Sequence, residues 1–353
     1  MRTAERAVVT PAPQLVRLRG RAIGLGVVCL FAAVLAGVLV GPVGLPAPKV
    51  VAALIDRLPF VHASAGLSDQ DAAILWQLRM PRVVLGGLVG ATLAVCGAAY
   101  QGVFRNPLAD PYLLGAAAGA GLGATLAIAY LPRTTTWVVG PLPLAAFLGA
   151  LAGVGLAYAL AGSIAGRTTT TLILGGVAVA SFLTAMQTFV QQRNSDDLRE
   201  VYSWILGRLT TAGWRDVTLI LPYIAVSSAV IVGHRRLLDV MSVGDEETQS
   251  LGVRPSLVRL VVVAAASLGT AAAVSVSGLI GFVGILVPHT VRLIAGTSYR
   301  VIVPLSLVFG ASFLILADLL ARRALSPAEL PIGVVTAFFG APFFAVVLRR
   351  AKS

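Results

Sequence analysis

Residues 76–124 read WQLRMPRVVLGGLVGATLAVCGAAYQGVFRNPLADPYLLGAAAGAGLGA, and this stretch decides the fold class. Between Arg82 and Arg105 every residue is uncharged, over about the 20 residues that an α-helix needs to cross a hydrocarbon core roughly 30 Å thick. Pro107 and Pro111 then interrupt the helix, and a run rich in Gly and Ala follows. Small side chains let membrane helices pack closely. The stretch predicts two membrane helices joined by a short turn.

The same composition extends over the whole chain. Of its 353 residues, 57% are hydrophobic and 12% are charged, whereas soluble proteins have roughly 25% charged residues. We predict an all-α polytopic membrane protein of about ten transmembrane helices. With neither a linker nor an internal repeat, residues 1–353 form one domain. The predicted spans cover residues 22–40, 83–103, 113–131, 142–162, 171–191, 217–232, 257–276, 279–294, 302–320 and 332–348.

The distribution of basic residues predicts how the helices are oriented. If the N-terminus is cytoplasmic, the inner segments hold more than half of the Lys and Arg residues, as expected for cytoplasmic loops. Ten spans then place the C-terminus inside as well, and residues 1–21 form a basic cytoplasmic N-terminus. The polar segment 193–216 lies outside, where Trp204 and Trp214 indicate a short helix at the membrane interface.

Composition also excludes several functional classes. The net charge of +12 does not indicate nucleic-acid binding, because the basic residues lie singly between apolar spans. The two lysines, Lys49 and Lys352, do not follow a glycine, so the sequence contains no GxxxxGK[ST] phosphate loop. Cys29 and Cys96 lie within apolar spans and are interpreted as small core residues. We expect no catalytic site, metal site or cofactor in this chain.

Five further motifs follow in order, and with residues 76–124 they resemble one family, the permeases of bacterial ABC importers for iron-siderophores, haem and cobalamin. The resemblance covers roughly residues 73–350. It implies a type II ABC importer permease fold in the bacterial cytoplasmic membrane, a second permease chain forming a homodimer, two copies of a separate ATPase, and an extracytoplasmic substrate-binding protein. The motifs are TLILGGVA (171–178), YSWILGRL (202–209), GDEETQSLGV (244–253), SGLIGFVGILVPHTVRLIAG (277–296) and ADLLARRALSPAELPIGVVTAFFGAPFF (317–344).

Residues 237–256 carry the predicted contact with the ATPase. Ser242 and Asp245 have the spacing of a capping box, and Gly252 and Pro255 supply stop signals, so a short helix is expected. In the resembled family this position holds the coupling helix. The residues to which the resemblance assigns this role are Asp245, Glu246, Glu247, Gln249, Ser250, Leu251, Gly252 and Val253.

Three arginines are the candidates for binding-protein docking. Arg79 and Arg82 flank Pro81 at the outer end of the second span, and Arg322 lies at the outer end of the ninth. A guanidinium group suits carboxylate partners, and in the family the matching arginines receive acidic residues of the binding protein. The alternative is that they anchor helix ends at the membrane surface. Asp318, one turn before Arg322, is expected to pair with it.

A third group is assigned to the pathway or to helix packing. Gly278, Gly281 and Gly284 recur every third residue, on one helix face or in a tight reversal. Pro288 frees a backbone carbonyl that the His289 ring can satisfy, an interpretation preferred to metal ligation.

In the turn before the third span, Asp110 and Pro111 are expected to begin the helix, as its cap and its first residue. A share of the ATPase contact is the alternative role of this turn.

The predicted function is therefore ATP-driven import of an iron chelate of the siderophore type. Cobalamin and haem are the alternatives within the family. An ion-coupled secondary transporter is the alternative of another class, but such proteins place ionisable groups near the bilayer midplane, and this sequence has only Asp318 near a helix end.

Overall fold

The computed structural model describes residues 20–57, 66–132, 139–164 and 168–350. Residues 1–19 of the predicted basic N-terminus, His62, Arg167 and Lys352 lie outside these ranges. The described chain is helical: α1 (Gly20–Leu39), α2 (Ala47–Asp56), α3 (Asp69–Ala73), a π-helical turn (Ile74–Arg79), α4 (Met80–Phe104), α5 (Ala116–Tyr130), α6 (Pro141–Ile164), α7 (Thr169–Arg193), α8 (Leu198–Ile205), α9 (Trp214–Met241), α10 (Asp245–Ser250), α11 (Pro255–Ser277), α12 (Val283–Ala295), α13 (Tyr299–Arg323) and α14 (Ile332–Arg350).

Each predicted span falls on one of these helices. Seven segments are long and apolar enough to cross a membrane: α1, the continuous helix Asp69–Phe104, α6, α7, α9, α11 and α13. The helices α5, α12 and α14 are apolar but shorter. At 13 residues, α12 is only about 20 Å long. The all-α membrane fold is confirmed. That α5, α12 and α14 also cross the membrane, which would give ten crossings, stays a prediction.

The helix α4 forms the centre of the bundle. Every residue from Thr92 to Phe104 is buried, and α4 packs against α9, α11, α12 and α13. In the second layer α5 packs on α6 and α7, and α1 packs on α13. Membrane helices cannot gain the usual hydrophobic free energy from each other, so close contact between backbones must hold them together.

Glycines provide these contacts along α4. A Cβ atom at Gly97 would lie 2.0 Å from the carbonyl oxygen of Gly284 in α12, and one at Gly90 would lie 2.3 Å from that of Gly310 in α13. No larger residue fits either position without separating the helices. The predicted close-packing role of Gly284 therefore has a structural basis.

Two predicted helix starts are wrong because the backbone turns there. Gly115 has a φ of +81°, so residues 111–114 form a turn and α5 begins at Ala116, not near Leu113. Gly278 and Phe282 have φ angles of +69° and +67°, which delays α12 until Val283. Of the two alternatives for the glycine series, the tight reversal is therefore correct at Gly278.

The helix predicted within residues 193–216 is α8. One face of α8 packs on the bundle through Val201 and Trp204, which are buried. Trp204 therefore lies inside the protein, whereas Trp214 is exposed at the start of α9, where its indole nitrogen donates to the Trp76 carbonyl at 2.7 Å.

We expect Gly97→Ala to destabilise the protein by several kcal/mol, since its methyl group must push α4 away from α12. Gly233→Ala in α9 is the control, because a Cβ there has no neighbour within 4 Å and alanine favours the helix by about 1 kcal/mol. The measurement is the apparent Tm of the purified chain in detergent. Equal values for the two variants would contradict the packing argument.

Candidate functional site

The two ends of the bundle carry the predicted binding residues, and we name them the α10 end and the Arg82 end. At the α10 end, Gly244, with a φ of +131°, precedes the first residue of α10. The Ser242 hydroxyl donates instead to the Asp239 carbonyl of α9 at 2.6 Å. The predicted capping box of Ser242 and Asp245 is therefore wrong, because Ser242 belongs to the end of α9. Asp245, Glu246 and Glu247 do form the first turn, as expected.

An ion-pair cluster holds α10 in place. The Asp245 carboxylate accepts from Nη2 of Arg259 in α11 at 2.9 Å and lies 3.4 Å from Nη2 of Arg105, just after α4. Thr248 is fully buried, and its hydroxyl donates to the Val240 carbonyl of α9 at 3.1 Å. The positions of Arg105, Arg259 and Thr248 in the sequence give no indication that these residues hold α10 in place.

Most of the predicted coupling residues are exposed around this anchored core. Leu251, just after α10, is 67% exposed. Asp245 and Val253 are part-buried, and the exposed set is Glu246, Glu247, Gln249, Ser250, Leu251 and Gly252. The α10 end thus presents an acidic and apolar ridge that is fixed to α4, α9 and α11.

A second carboxylate joins helices at this end. Asp239, near the end of α9, accepts from the Ser298 hydroxyl at 2.7 Å and from the Tyr299 backbone N–H at 2.6 Å, and Arg300 Nε lies 3.5 Å away. These partners form the first turn of α13, where a carboxylate is favoured by the helix dipole. The α10 end is therefore rigidly connected to α13 as well.

At the Arg82 end four charged side chains form a cluster. Arg82 Nη2 lies 2.8 Å from Asp318 Oδ1 and 2.9 Å from Glu329 Oε2. Arg322 Nε lies 3.1 Å from Asp318 Oδ2, which confirms the predicted pair one turn apart. The side chain of Asp318 is 4% exposed, that of Arg82 is 12% and that of Glu329 is 27%. Arg82 and Glu329 are thus the accessible members of the cluster.

The other two predicted docking arginines face the interior. Arg79 is buried and donates to the carbonyls of Val38 at 2.8 Å, Leu39 at 3.0 Å and Val43. Arg322 is also buried, and its Nη2 donates to the Gly37 carbonyl at 3.2 Å. Both therefore donate to carbonyls at and after the end of α1. This arrangement is closer to the alternative role given above, the anchoring of helix ends, than to docking. A docking role for Arg79 and Arg322 stays a prediction.

Between the two ends, the turn before α5 meets the reversal before α12. The Tyr112 hydroxyl donates to the Ile280 carbonyl at 3.0 Å and accepts from the Ile280 N–H at 3.1 Å. The Gln101 side chain donates to the Gly284 carbonyl at 3.0 Å. Non-helical backbone within a membrane bundle needs such partners, since lipid offers none.

The remaining pathway candidates differ in their surroundings. A Cβ atom at Gly281 would have no neighbour within 4 Å, so Gly281 borders open space. Pro288 lies inside α12 and is buried. The His289 ring packs edge-on against Phe343, with centroids 5.8 Å apart. The expected hydrogen bond from this ring to a carbonyl freed by Pro288 does not occur among the described residues.

Asp110 lies in the turn before α5 and does not cap that helix, contrary to prediction. Its Oδ1 accepts from the Tyr112 backbone N–H at 2.9 Å, and Tyr112 lies four residues before the first residue of α5. This hydrogen bond lies within the turn, ahead of the first residue of α5.

We expect Asp318→Asn to destabilise the chain by roughly 3–5 kcal/mol, because Arg82 and Arg322 then lose the charge that both of them contact. Glu329→Gln is the matched control at the accessible edge of the cluster, where a loss of about 1 kcal/mol or less is expected. The apparent Tm in detergent measures both variants. If Glu329→Gln lowered the Tm as much as Asp318→Asn, Asp318 would not be the central charge of the cluster.

Comparisons with known proteins agree on one family. The sequence pattern of the FecCD transport family matches residues 29–350. The chain is 42% identical over 306 residues to the cobalamin import system permease protein BtuC of Halobacterium salinarum, covering 87% of this chain and 80% of that one. It is 36% identical over 300 residues to the Fe(3+)-citrate import system permease protein YfmD of Bacillus subtilis, covering 85% and 88%. A solved metal-chelate type ABC transporter in an inward-facing conformation superposes with a TM-score of 0.79 at 26% identity, covering 94% and 99% of the two chains.

Proposed function

The chain belongs to the FecCD transport family and is a permease of an ABC importer. We propose that it carries a metal chelate of the cobalamin class across the cytoplasmic membrane, and that a separate ATPase powers this transport. The observation that carries the proposal is the anchored ridge at the α10 end. The exposed residues of α10 lie outside the apolar helices, on a helix clamped to three membrane helices, as a transmitter of force requires.

The ATPase contact is proposed for the exposed face of α10. Glu246 and Glu247 offer charge, and Leu251 offers an apolar anchor, a combination typical of protein interfaces. Because the sequence has no phosphate loop, ATP must bind to another subunit. By symmetry, a dimer of this permease would engage two copies of the ATPase.

Docking of a substrate-binding protein is proposed for the Arg82 end. Support comes from Arg82, a partly accessible guanidinium with a fixed geometry for carboxylates. In this proposal Arg79 and Arg322 act indirectly, by holding the end of α1 beside the cluster.

The order of candidate cargoes follows from the relatives. Cobalamin comes first, because the relative named for its import shares 42% identity with this chain. Ferric citrate or a similar iron chelate is the second candidate, supported by the relative with 36% identity. Transport of a siderophore or of haem stays a prediction from the sequence.

A reconstitution tests this function against ion-coupled transport. Vesicles containing the permease and its ATPase, with the binding protein outside, are supplied with labelled cyanocobalamin or ferric citrate. We expect uptake only with ATP inside, and preferentially of cyanocobalamin. Uptake driven by a proton or sodium gradient without ATP would overturn the proposal, whereas ATP-driven uptake of ferric citrate alone would change only the cargo.

We expect Leu251→Asp to lower ATP-driven uptake at least tenfold, because a charged side chain replaces the exposed apolar anchor of α10. Leu325→Asp is the matched control for ATPase binding, which it should leave unchanged, since Leu325 is 58% exposed near the Arg82 end, away from α10. Co-purification of the ATPase with each variant is the second readout. Unchanged uptake and unchanged ATPase binding for Leu251→Asp would contradict the role of α10.

A further inference from the structure

A groove runs between α6 and α11, starting at the α10 end. Its first part is a cavity of about 500 Å³, bordered by Tyr158 and Gly162 of α6 and by Arg254, Ser256 and Arg259 at the beginning of α11. Among the residues that the structure describes, none with an acidic side chain lines this part. The groove therefore begins with two positive charges at an end of the bundle where the apolar helices stop.

The groove continues along the same two helices as an apolar channel. The second part has a volume of about 350 Å³ and shares Tyr158 and Leu260 with the first. Its other lining side chains are apolar apart from Ser267, and they include Leu151 and Val263. From Tyr158 to Leu151 the groove follows two turns of α6, about 10 Å. One end is thus basic and the rest is apolar.

The two arginines of the groove differ in their ion pairing and exposure. Arg259 Nη2 is engaged with Asp245 of α10. The Arg254 side chain is exposed and makes no ion pair with any residue that the structure describes. The Arg254 guanidinium therefore gives this end of the groove a positive charge that no described carboxylate pairs.

We propose that this groove binds one anionic phospholipid from the leaflet on the α10 side, with its phosphate on Arg254 and Arg259 and an acyl chain in the apolar part. Basic pockets between membrane helices favour anionic headgroups. The apolar part of the groove would add nothing to the binding of a free anion, whereas it can hold an acyl chain. Because Arg259 also holds Asp245, the bound phosphate and α10 contact the same guanidinium. The lipid is therefore positioned to influence how firmly α10 is held.

The test separates headgroup from acyl chain. The purified full-length chain in detergent is titrated with phosphatidylglycerol or phosphatidylcholine, and bound lipid is counted by native mass spectrometry. Arg254→Ala removes the headgroup contact. Gly155→Phe fills the apolar part, where a Cβ at Gly155 has no neighbour within 4 Å. Arg236→Ala is the control, since it removes an exposed charge at the same end outside the groove.

We expect one tightly bound phosphatidylglycerol per wild-type chain and weaker binding of phosphatidylcholine. Arg254→Ala should lower the affinity about fivefold, the factor for one arginine beside an anionic surface. Gly155→Phe should lower it at least as much, and Arg236→Ala should not change it. Equal Tm values of the variants without added lipid exclude misfolding as the cause.

Two results would overturn the proposal. Equal affinity for both lipids would show that no headgroup is recognised. Loss of binding in Arg254→Ala but not in Gly155→Phe, together with displacement by inorganic phosphate, would show a simple anion site. The measurement needs neither an ATPase nor a cargo, so its outcome is independent of the transport function.

Discussion

The structure depends on the close approach of α4 to its neighbours. Two glycine pairs, Gly90 with Gly310 and Gly97 with Gly284, bring backbones together so tightly that no Cβ fits between them. In a bilayer this contact replaces the hydrophobic effect as the source of cohesion. It also brings the polar side chain of Gln101 within reach of the Gly284 carbonyl, so packing and hydrogen bonding stabilise the same contact.

The helix α4 also connects the two candidate sites. Arg82 in its first turn binds Asp318 and Glu329, and Arg105, just beyond its last residue, lies beside Asp245 of α10. A single buried helix of 25 residues thus carries an ion-pairing arginine at each end. Since it is packed on all sides, a displacement of α10 cannot leave α4 and its neighbours unaffected.

The sequence predicted the helices well because long apolar runs leave few alternatives. The errors of the prediction concern the backbone conformation at helix starts and the side-chain partners that are distant in sequence. The predicted starts of α5 and α12 were wrong, because Gly115 and Phe282 have positive φ angles, which apolar composition does not indicate. The pair Asp318 and Arg322 could be predicted from helical spacing, but Arg82 lies 236 residues away from Asp318, and nothing local indicates that they meet. Arg79 looked accessible because a sequence does not show which way a side chain at a helix end points.

The cluster at the Arg82 end has a thermodynamic consequence. Its two arginines and two carboxylates sum to zero charge, so an acidic partner that reaches Arg82 exchanges its own carboxylate for that of Glu329. The gain is then the difference between two similar ion pairs and not the full strength of one. Such an exchange means that this ion pair by itself adds little to the affinity of an acidic partner.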